Sequence, residues 1–590
     1  MKRSIISPKA FGAQIREYMR GVLFCQKNHR AAANKKNIRM KKLYIVAVII
    51  AAMQLYSCQK LDIAPISKFT EANYWTSTDK AELVLNMAYN QMYNAGIMWR
   101  DEFLGDNMVH TYGTSDPNSI RRGEATAALN LFASEWKDAY GGIKTCLVFL
   151  ANVDRIPGMP EELKNRMIDE IRFIRAYIYF RLVNYYGDIP FFTTEISLDD
   201  AYKVKRTPKS EVLSFIHSEL DDIMNGGHLP KTENLVPDEK GRITIGAACA
   251  FQARAYLYEN NYQKVKEYAG HLINEQDKYG MYQLFEYPAK KEESYFRLFT
   301  PEYEYNNEVI LDITYVPDLK TWSNMSQMAP ISKRAEISAD NPTQELVDCY
   351  MTMNGLPVKG ADKDPAYNEN DPYVNRDPRL SATVVYDNYK WLNKDGSVDT
   401  IRTAIGTKTD DSYKSPVDRQ TKTGYYVRKY YDWTMSSNNQ SGLNIIMFRY
   451  ADVLLMYAEA CNELGKIAQQ EWNATIRPIR ERAGFKVAAA LDYPAAKSQA
   501  ELRDEIRNER RVELALEGLR WYDIKRWKTG QQVLNGAIHG FRFAGSAGAT
   551  DGGYIRVNQY TFNNNRDYLW SVPLDQMDLN QNLKPNNPGY

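Results

Sequence analysis

Residues 168–190 read IDEIRFIRAYIYFRLVNYYGDIP, and the way this stretch buries its side chains decides the fold. Ile171, Ile174, Ile178, Leu182 and Tyr185 recur at three- and four-residue steps, the spacing of one helix face. Phe173, Tyr177 and Phe180 form a second apolar row about a quarter-turn away, and charge is confined largely to Asp169, Glu170, Arg172, Arg175 and Arg181. A helix apolar on two sides must be covered on two sides, so the pattern predicts a helix inside a helical stack. Gly187 suits a left-handed C-terminal cap, and Pro190 blocks continuation. None of these side chains reads as a ligand contact.

Outward from this spine, helical periodicity marks 134–155, 208–224, 447–465 and 500–517. In 243–274, the small residues Ala247, Ala250 and Ala253, with Asn260-Asn261 as the turn, resemble a tetratricopeptide helix pair. Arg254-Ala255-Tyr256 echoes Arg175-Ala176-Tyr177, as repeated units would. Such units cannot bury their faces singly and must stack. From 280 to 442 Asn, Asp, Pro, Gly and Tyr become frequent, with strand-like pieces at Val309–Ile313 and Ala382–Tyr386. The predicted fold is mainly α: a tetratricopeptide-like helical repeat scaffold with a large irregular, loop-rich insertion. Its parts are a helical half at 71–279, the irregular region at 280–442, and returning helices with a tail at 443–590.

Composition narrows the function classes. The first 57 residues hold twelve Lys and Arg against one acid, Glu17, and the rest carries 63 basic and 72 acidic residues, net −9. A mildly acidic body argues against nucleic acid as a partner. Cys146, Cys249, Cys349 and Cys461 lie far apart with no metal-ligand spacing, so neither a metal nor a cofactor is expected. Pairing of any disulfide stays open at this level. No G-x-S-x-G, H-E-x-x-H or phosphate-cradling Gly loop occurs.

Residues 40–58, MKKLYIVAVIIAAMQLYSC, place Lys41 and Lys42 before an apolar run of thirteen, Leu43 to Leu55. At about 1.5 Å per residue that run cannot cross a hydrocarbon core of roughly 30 Å, so 40–57 reads as a signal peptide. Leu55-Tyr56-Ser57-Cys58 resembles a bacterial lipobox, with Tyr56 larger than usual there; Cys58 is then the acylated first residue and 58–70 a tether. Met40 is the expected start, and 1–39 reads as a mis-assigned upstream extension that would be disordered.

Several segments, in order, resemble the SusD/RagB family of outer-membrane nutrient-capture lipoproteins. Arg175-Ala176-Tyr177 through Tyr186-Gly187-Asp188-Ile189-Pro190 is similar to the family's "RAY…YGD-x-P" stretch. Leu346-Val347-Asp348-x-Tyr350 and Arg376-Asp377-Pro378-Arg379-Leu380 resemble its "LVD-x-Y" and "RDPRL" segments, with Asn354 in place of the usual Asp between them. Arg510-Arg511-Val512-Glu513-Leu514 through Trp527 is similar to its most specific signature, "ERR-x-EL-x-x-EG-x-RW-x-D-x-x-RW", and Asn587-Pro588-Gly589-Tyr590 to its tail. The resemblance implies a non-enzymatic protein, membrane-bound through its lipid, that captures glycan beside a TonB-dependent outer-membrane transporter (SusC-like). A peptide-binding member of the RagB type and a glycoside hydrolase are the alternatives.

Candidate ligand residues fall on two stretches that lack helical periodicity. In 95–130, read as a long loop, Trp99 stands with Asp106, Asn107, Tyr112 and Arg121. An aromatic ring covers the C–H face of a pyranose, while carboxylates, amides and guanidinium fix its hydroxyls. In 321–330, TWSNMSQMAP, Trp322 sits among polar residues on no helical face, as on a ligand loop of the family. Tyr303 joins the set, with Tyr305, Tyr315 and Trp433 as weaker candidates. No catalytic residue is assigned, and the charged pairs of 510–527 are expected to cross-link helices.

Overall fold

The computed structural model describes residues 74–112, 115–413, 419–435, 439–542 and 549–590. The signal segment, Cys58 and the tether therefore lie outside the described residues. Trp75–Tyr590 form one compact unit. Its helices of eight residues or more are α1 (Thr78–Met92), α2 (Ala95–Phe103), α3 (Asn130–Asn152), α4 (Glu161–Tyr186), α5 (Lys209–Gly226), α6 (Ile245–Tyr258), α7 (Tyr262–Asn274), α8 (Tyr450–Leu464), α9 (Ile476–Ala483), α10 (Gln499–Glu513) and α11 (Arg520–Trp527).

The spine predicted from 168–190 is α4, extended one turn and more toward its N-terminus. Every residue from Phe173 to Tyr186 is buried, including Arg175 and Arg181, so the helix is enclosed on all sides rather than two. Its arginines explain how: Arg181 pairs with Glu135 of α3 at 2.6 Å, and Arg175 with Glu219 of α5 at 2.6 Å. Charges paired in this way can be buried where single ones cannot. Gly187 closes the helix at φ +73, a backbone region that favours glycine. α4 packs on α1, α3 and α5, α5 on α6, α6 on α7, and α7 on α8, so successive helices lie against one another in chain order. Ala247, Ala250 and Ala253 are fully buried, and the turn between α6 and α7 uses Asn260 at φ +58.

The irregular region is tied to this stack by strands. Val309–Ile313, the strand read from the sequence, pairs antiparallel with Ile445–Arg449, which runs straight into α8. Met108–His110 pairs with Asp340–Pro342. Ala382–Tyr386 divides instead: Pro378–Thr383 is helical, capped by Asp377, and only Val384–Val385 forms a strand, against Tyr426–Val427. The stretch 95–130, expected as a loop, holds α2, the strand at 108–110 and a short helix, Asp116–Arg121. Asn94 starts α2 by accepting the Ile97 N–H at 3.0 Å, and the Tyr315 hydroxyl accepts the Ala95 N–H at 2.8 Å. Cys146, Cys249 and Cys461 are buried free thiols, and Cys349 is a half-buried one. No helix among the described residues is long and apolar enough to cross a membrane.

Candidate functional site

Five of the residues singled out as ligand contacts are buried by the fold. Trp99 is 0% exposed and Trp322 is 5% exposed. Their ring centres stand 6.4 Å apart, and Trp99 meets Tyr430 edge-on at 6.3 Å. Trp322 exchanges two backbone hydrogen bonds with Ser441 and donates its indole N–H to the Leu443 carbonyl at 2.7 Å. Both rings are thus faced by protein, and the reason for an aromatic on these polar stretches is packing against partners far along the chain. Asp106 pairs with Arg520 at 2.7 Å and Arg511 at 3.0 Å. Asn107 donates to Glu102 at 2.8 Å and accepts from Arg511 at 2.9 Å. Arg121 is buried with its guanidinium 4.6 Å from the centre of the Trp521 ring. These polar side chains hold the helical signature around Arg510–Trp527 to α2 and the turn that follows it.

The Asp106 pairing has a pH consequence. Burial alone would raise its carboxyl, but the guanidinium groups of Arg511 and Arg520 outweigh it and hold the group at about 2. A carboxyl lowered on folding stabilises the protein above its unfolded value, near 4, and that stability is lost as pH falls toward 2. The contribution at neutral pH is about 2–3 kcal/mol. Urea titrations at stepped pH are therefore expected to show Asp106→Asn weaker than the parent at pH 7, with the gap closing between about pH 4 and 2. A constant gap across that window would exclude the pairing as its cause.

The other two principal candidates, Tyr112 and Tyr303, keep accessible surface. Tyr112 is half-buried; its hydroxyl donates to the Gln420 carbonyl at 3.3 Å, and the Lys422 ammonium lies 4.8 Å from its ring centre. Tyr303 is half-buried and belongs to a larger aromatic group. Its ring stands 5.1 Å from Phe285 and 5.6 Å from Tyr287. Nearby, Trp433 packs at 6.2 Å on Phe296 and donates its indole N–H to Glu302 at 2.7 Å. Arg297 links the two halves, 5.0 Å from the Tyr287 ring and 5.5 Å from the Phe296 ring. Phe285, Tyr287, Phe296, Tyr303 and Trp433 are all half-buried, so this is a ledge of rings with part of each left open.

Beside the ledge runs a groove of about 700 Å³, whose lining includes Gln283, Phe285, Asn306, Asn307 and Glu481. Asn306 is fixed by donating to the Tyr303 carbonyl at 2.7 Å and accepting the Glu308 N–H at 2.9 Å. Rings with convergent amides and carboxylates are the chemistry that holds a polyhydroxylated ring. Tyr305, next in the chain, has φ +56, a conformation that disfavours a bulky side chain. Tyr315 is buried, as its cap on α2 requires.

Glu304, between Tyr303 and Tyr305, accepts the Asn444 N–H at 2.6 Å, and Asp312 accepts from the Asn444 side chain at 2.8 Å. Burial pushes both carboxyls up to about 7; Asp312 and Asp432 add to the rise at Glu304, against the Asn444 N–H. Sequence reasoning missed Phe285, Tyr287 and Phe296. The stretch Gln283–Lys290, QLFEYPAK, carries the signal that drew attention to Trp322: aromatics alternating with polar residues off any helix face.

A helical stack is thus interrupted by a large irregular region that carries an open aromatic ledge. Comparison with known proteins agrees in both halves of the chain. A family model described as "Starch-binding associating with outer membrane" matches residues 61–257, and one described as "SusD family" matches 307–590. The chain belongs to the SusD/RagB family. It is 27% identical over 577 residues to SusD-like protein P2 of Formosa agariphila, covering 93% of this chain and 100% of that one. A SusD-like carbohydrate binding protein from Bacteroides fragilis superposes with a TM-score of 0.75 at 26% identity, covering 87% of this chain and 100% of that one. A second SusD-like protein from the same organism gives a TM-score of 0.73, also at 26% identity, with 89% and 100% covered.

Proposed function

We propose that the protein is a glycan-binding lipoprotein of the outer membrane, anchored through Cys58, that holds oligo- or polysaccharide without cleaving it and passes it to a TonB-dependent transporter. The observation that carries this reading is the ledge of Phe285, Tyr287, Tyr303, Phe296 and Trp433 beside an open groove lined with amides and two carboxylates, Glu286 and Glu481. Family membership and the carbohydrate-binding title of a structural relative support it. The signal sequence and lipobox at 40–58 support the anchor. Acylation commonly supplies more than one chain, and two already hold a protein stably to a membrane. Tethering also raises the effective concentration of ligand at a transporter mouth, so affinity at the ledge can stay modest.

Affinity electrophoresis across a polysaccharide panel tests the ledge. Tyr303→Ala and Trp433→Ala are each expected to weaken retention by about tenfold, since single aromatic anchors contribute on the order of 1–2 kcal/mol. Unchanged retention in both, with normal melting, removes the ledge from the binding surface. A glycosidase reading draws on Glu304 and Asp312, whose raised carboxyls are of the kind a general acid needs. New reducing ends from a bound polymer, abolished by Glu304→Gln, would replace the binding reading with that one. Co-purified peptides would favour a peptide ligand.

A further inference from the structure

A separate cavity of about 590 Å³ opens where the C-terminal end of α4, the start of α5 and the end of α11 meet the tail of the chain. None of its lining residues belongs to the irregular region that carries the ledge. Three lysines line it: Lys209, Lys525 and Lys528. Lys209 donates to the Asn184 side-chain oxygen at 3.2 Å, and Lys525 donates to the carbonyl of the same Asn184, so two ammonium groups converge on one residue. Lys528 lies 4.3 Å from the centre of the Tyr568 ring. None of the three forms an ion pair among the described residues.

Asp188 is the one carboxylate among the described lining residues, and it acts on Lys209 through its charge without forming a direct ion pair. Asp188 accepts the Lys209 backbone N–H at 2.9 Å. Arg206 is occupied by backbone carbonyls and Asn587, Arg526 by Glu459 and Asp523, and Arg566 by Asp567. Like charges gathered in a half-buried pocket oppose one another, and each ammonium retains donors beyond the one it uses. Burial lowers the Lys209 ammonium to about 8, Lys528 adding to the fall against Glu259 and Asp188; burial lowers Lys525 well below its ordinary range, Lys209 and Lys528 adding to the fall against Asp101. An anion seated among the three ammonium groups would offset both their mutual repulsion and the cost of their burial.

We propose that Lys209, Lys525 and Lys528 form an oxyanion site that takes a carboxylate or sulfate group, carried on a sugar or free in solution. The volume suits one or two sugar rings, falling within the range of about 300–1,000 Å³ typical of small-ligand sites. Asn260 and Asn564 in the lining would meet neighbouring hydroxyls. The site is independent of the ledge, so it can fail while the glycan reading stands, and the reverse.

Isothermal titration of the mature chain at low salt and pH 7 tests it with glucuronate, glucose 6-sulfate, sodium sulfate and neutral glucose. At least one oxyanion is expected to bind and neutral glucose to be silent. Lys209→Met with Lys525→Met should weaken binding by about tenfold or more, as loss of charge-assisted hydrogen bonds does. The exposed Lys528→Ala should weaken it in a protein that melts normally, which separates binding from folding. Affinity should fall as pH rises past about 8, where Lys209 gives up its proton. Binding by the sugar anions alone would identify an acidic glycan as the source, and equal binding by inorganic sulfate a free anion. Silence from all three anions, equal binding of glucose, or full binding in both the double variant and Lys528→Ala overturns the proposal.

Discussion

Glu513→Gln is expected to destabilise the protein by about 3–5 kcal/mol, the range found when one partner of a buried ion pair is removed and the other left uncompensated. Glu513 ends α10 and is fully buried. Its carboxylate contacts Arg449 at 2.7 Å, Arg379 at 2.9 Å and, closest of all, Arg482. Those arginines come from three places: the strand preceding α8, the short helix at 378–383, and α9. Glu308, beside the strand at 309–313, joins the same cluster through Arg449 and Arg482, both at 2.7 Å. Burial would raise the Glu513 carboxyl, but the three guanidinium groups outweigh it and hold it far below the usual carboxylate range. Amide replacement keeps the shape and removes the charge, so the arginines would face one another across the gap. Urea unfolding measures the effect. An unfolding free energy within about 0.5 kcal/mol of the parent, the scatter of ordinary surface changes, would show that the cluster adds little. In a double-mutant cycle with Arg482→Met the combined loss should be smaller than the sum, because both changes break one network.

This cluster also shows what the chain reveals locally and what it does not. The signature from Arg510 to Trp527 is visible as a motif, and its charges were expected to cross-link helices at helical spacing. In the fold they do cross-link helices, Arg510 of α10 to Asp452 of α8 and Asp523 of α11, and Arg526 to Glu459 of α8, and they reach further, Glu513 joining the irregular region. The spine helix was legible because its apolar residues repeat with the helical period. The strand at 309–313 was legible because a short apolar run is bounded by polar turns. Helix α2 was not, because AGIMWRDEF has a poor local pattern and its start is fixed by Asn94 and by Tyr315 from the irregular region. The ledge was half legible. Tyr303 and Trp433 stand out in the sequence as aromatics among polar residues, but their grouping with Phe285, Tyr287 and Phe296 depends on a chain path that no local window contains.

The same limit governs the two tryptophans, and it yields an opposite expectation for each assay. A lone aromatic on a polar stretch looks alike in sequence whether it faces solvent or a ring brought in from elsewhere. Trp99 packs against Trp322 and Tyr430, and both tryptophans are buried. Trp99→Ala is therefore expected to cost about 3–5 kcal/mol through the lost contacts and the cavity left behind. Trp322→Ala should fall in the same range, since it also strands the Leu443 carbonyl that its indole N–H now satisfies. The double variant should lose less than the two singles together, because each change already empties part of the same space. Retention on polysaccharide, measured well below the lowered melting temperature, should persist in both single variants, whereas Tyr303→Ala should lose retention and melt normally. A Trp99→Ala protein that melts like the parent yet no longer binds would reverse the assignment, since a ring that only packs cannot affect a ligand without affecting the fold.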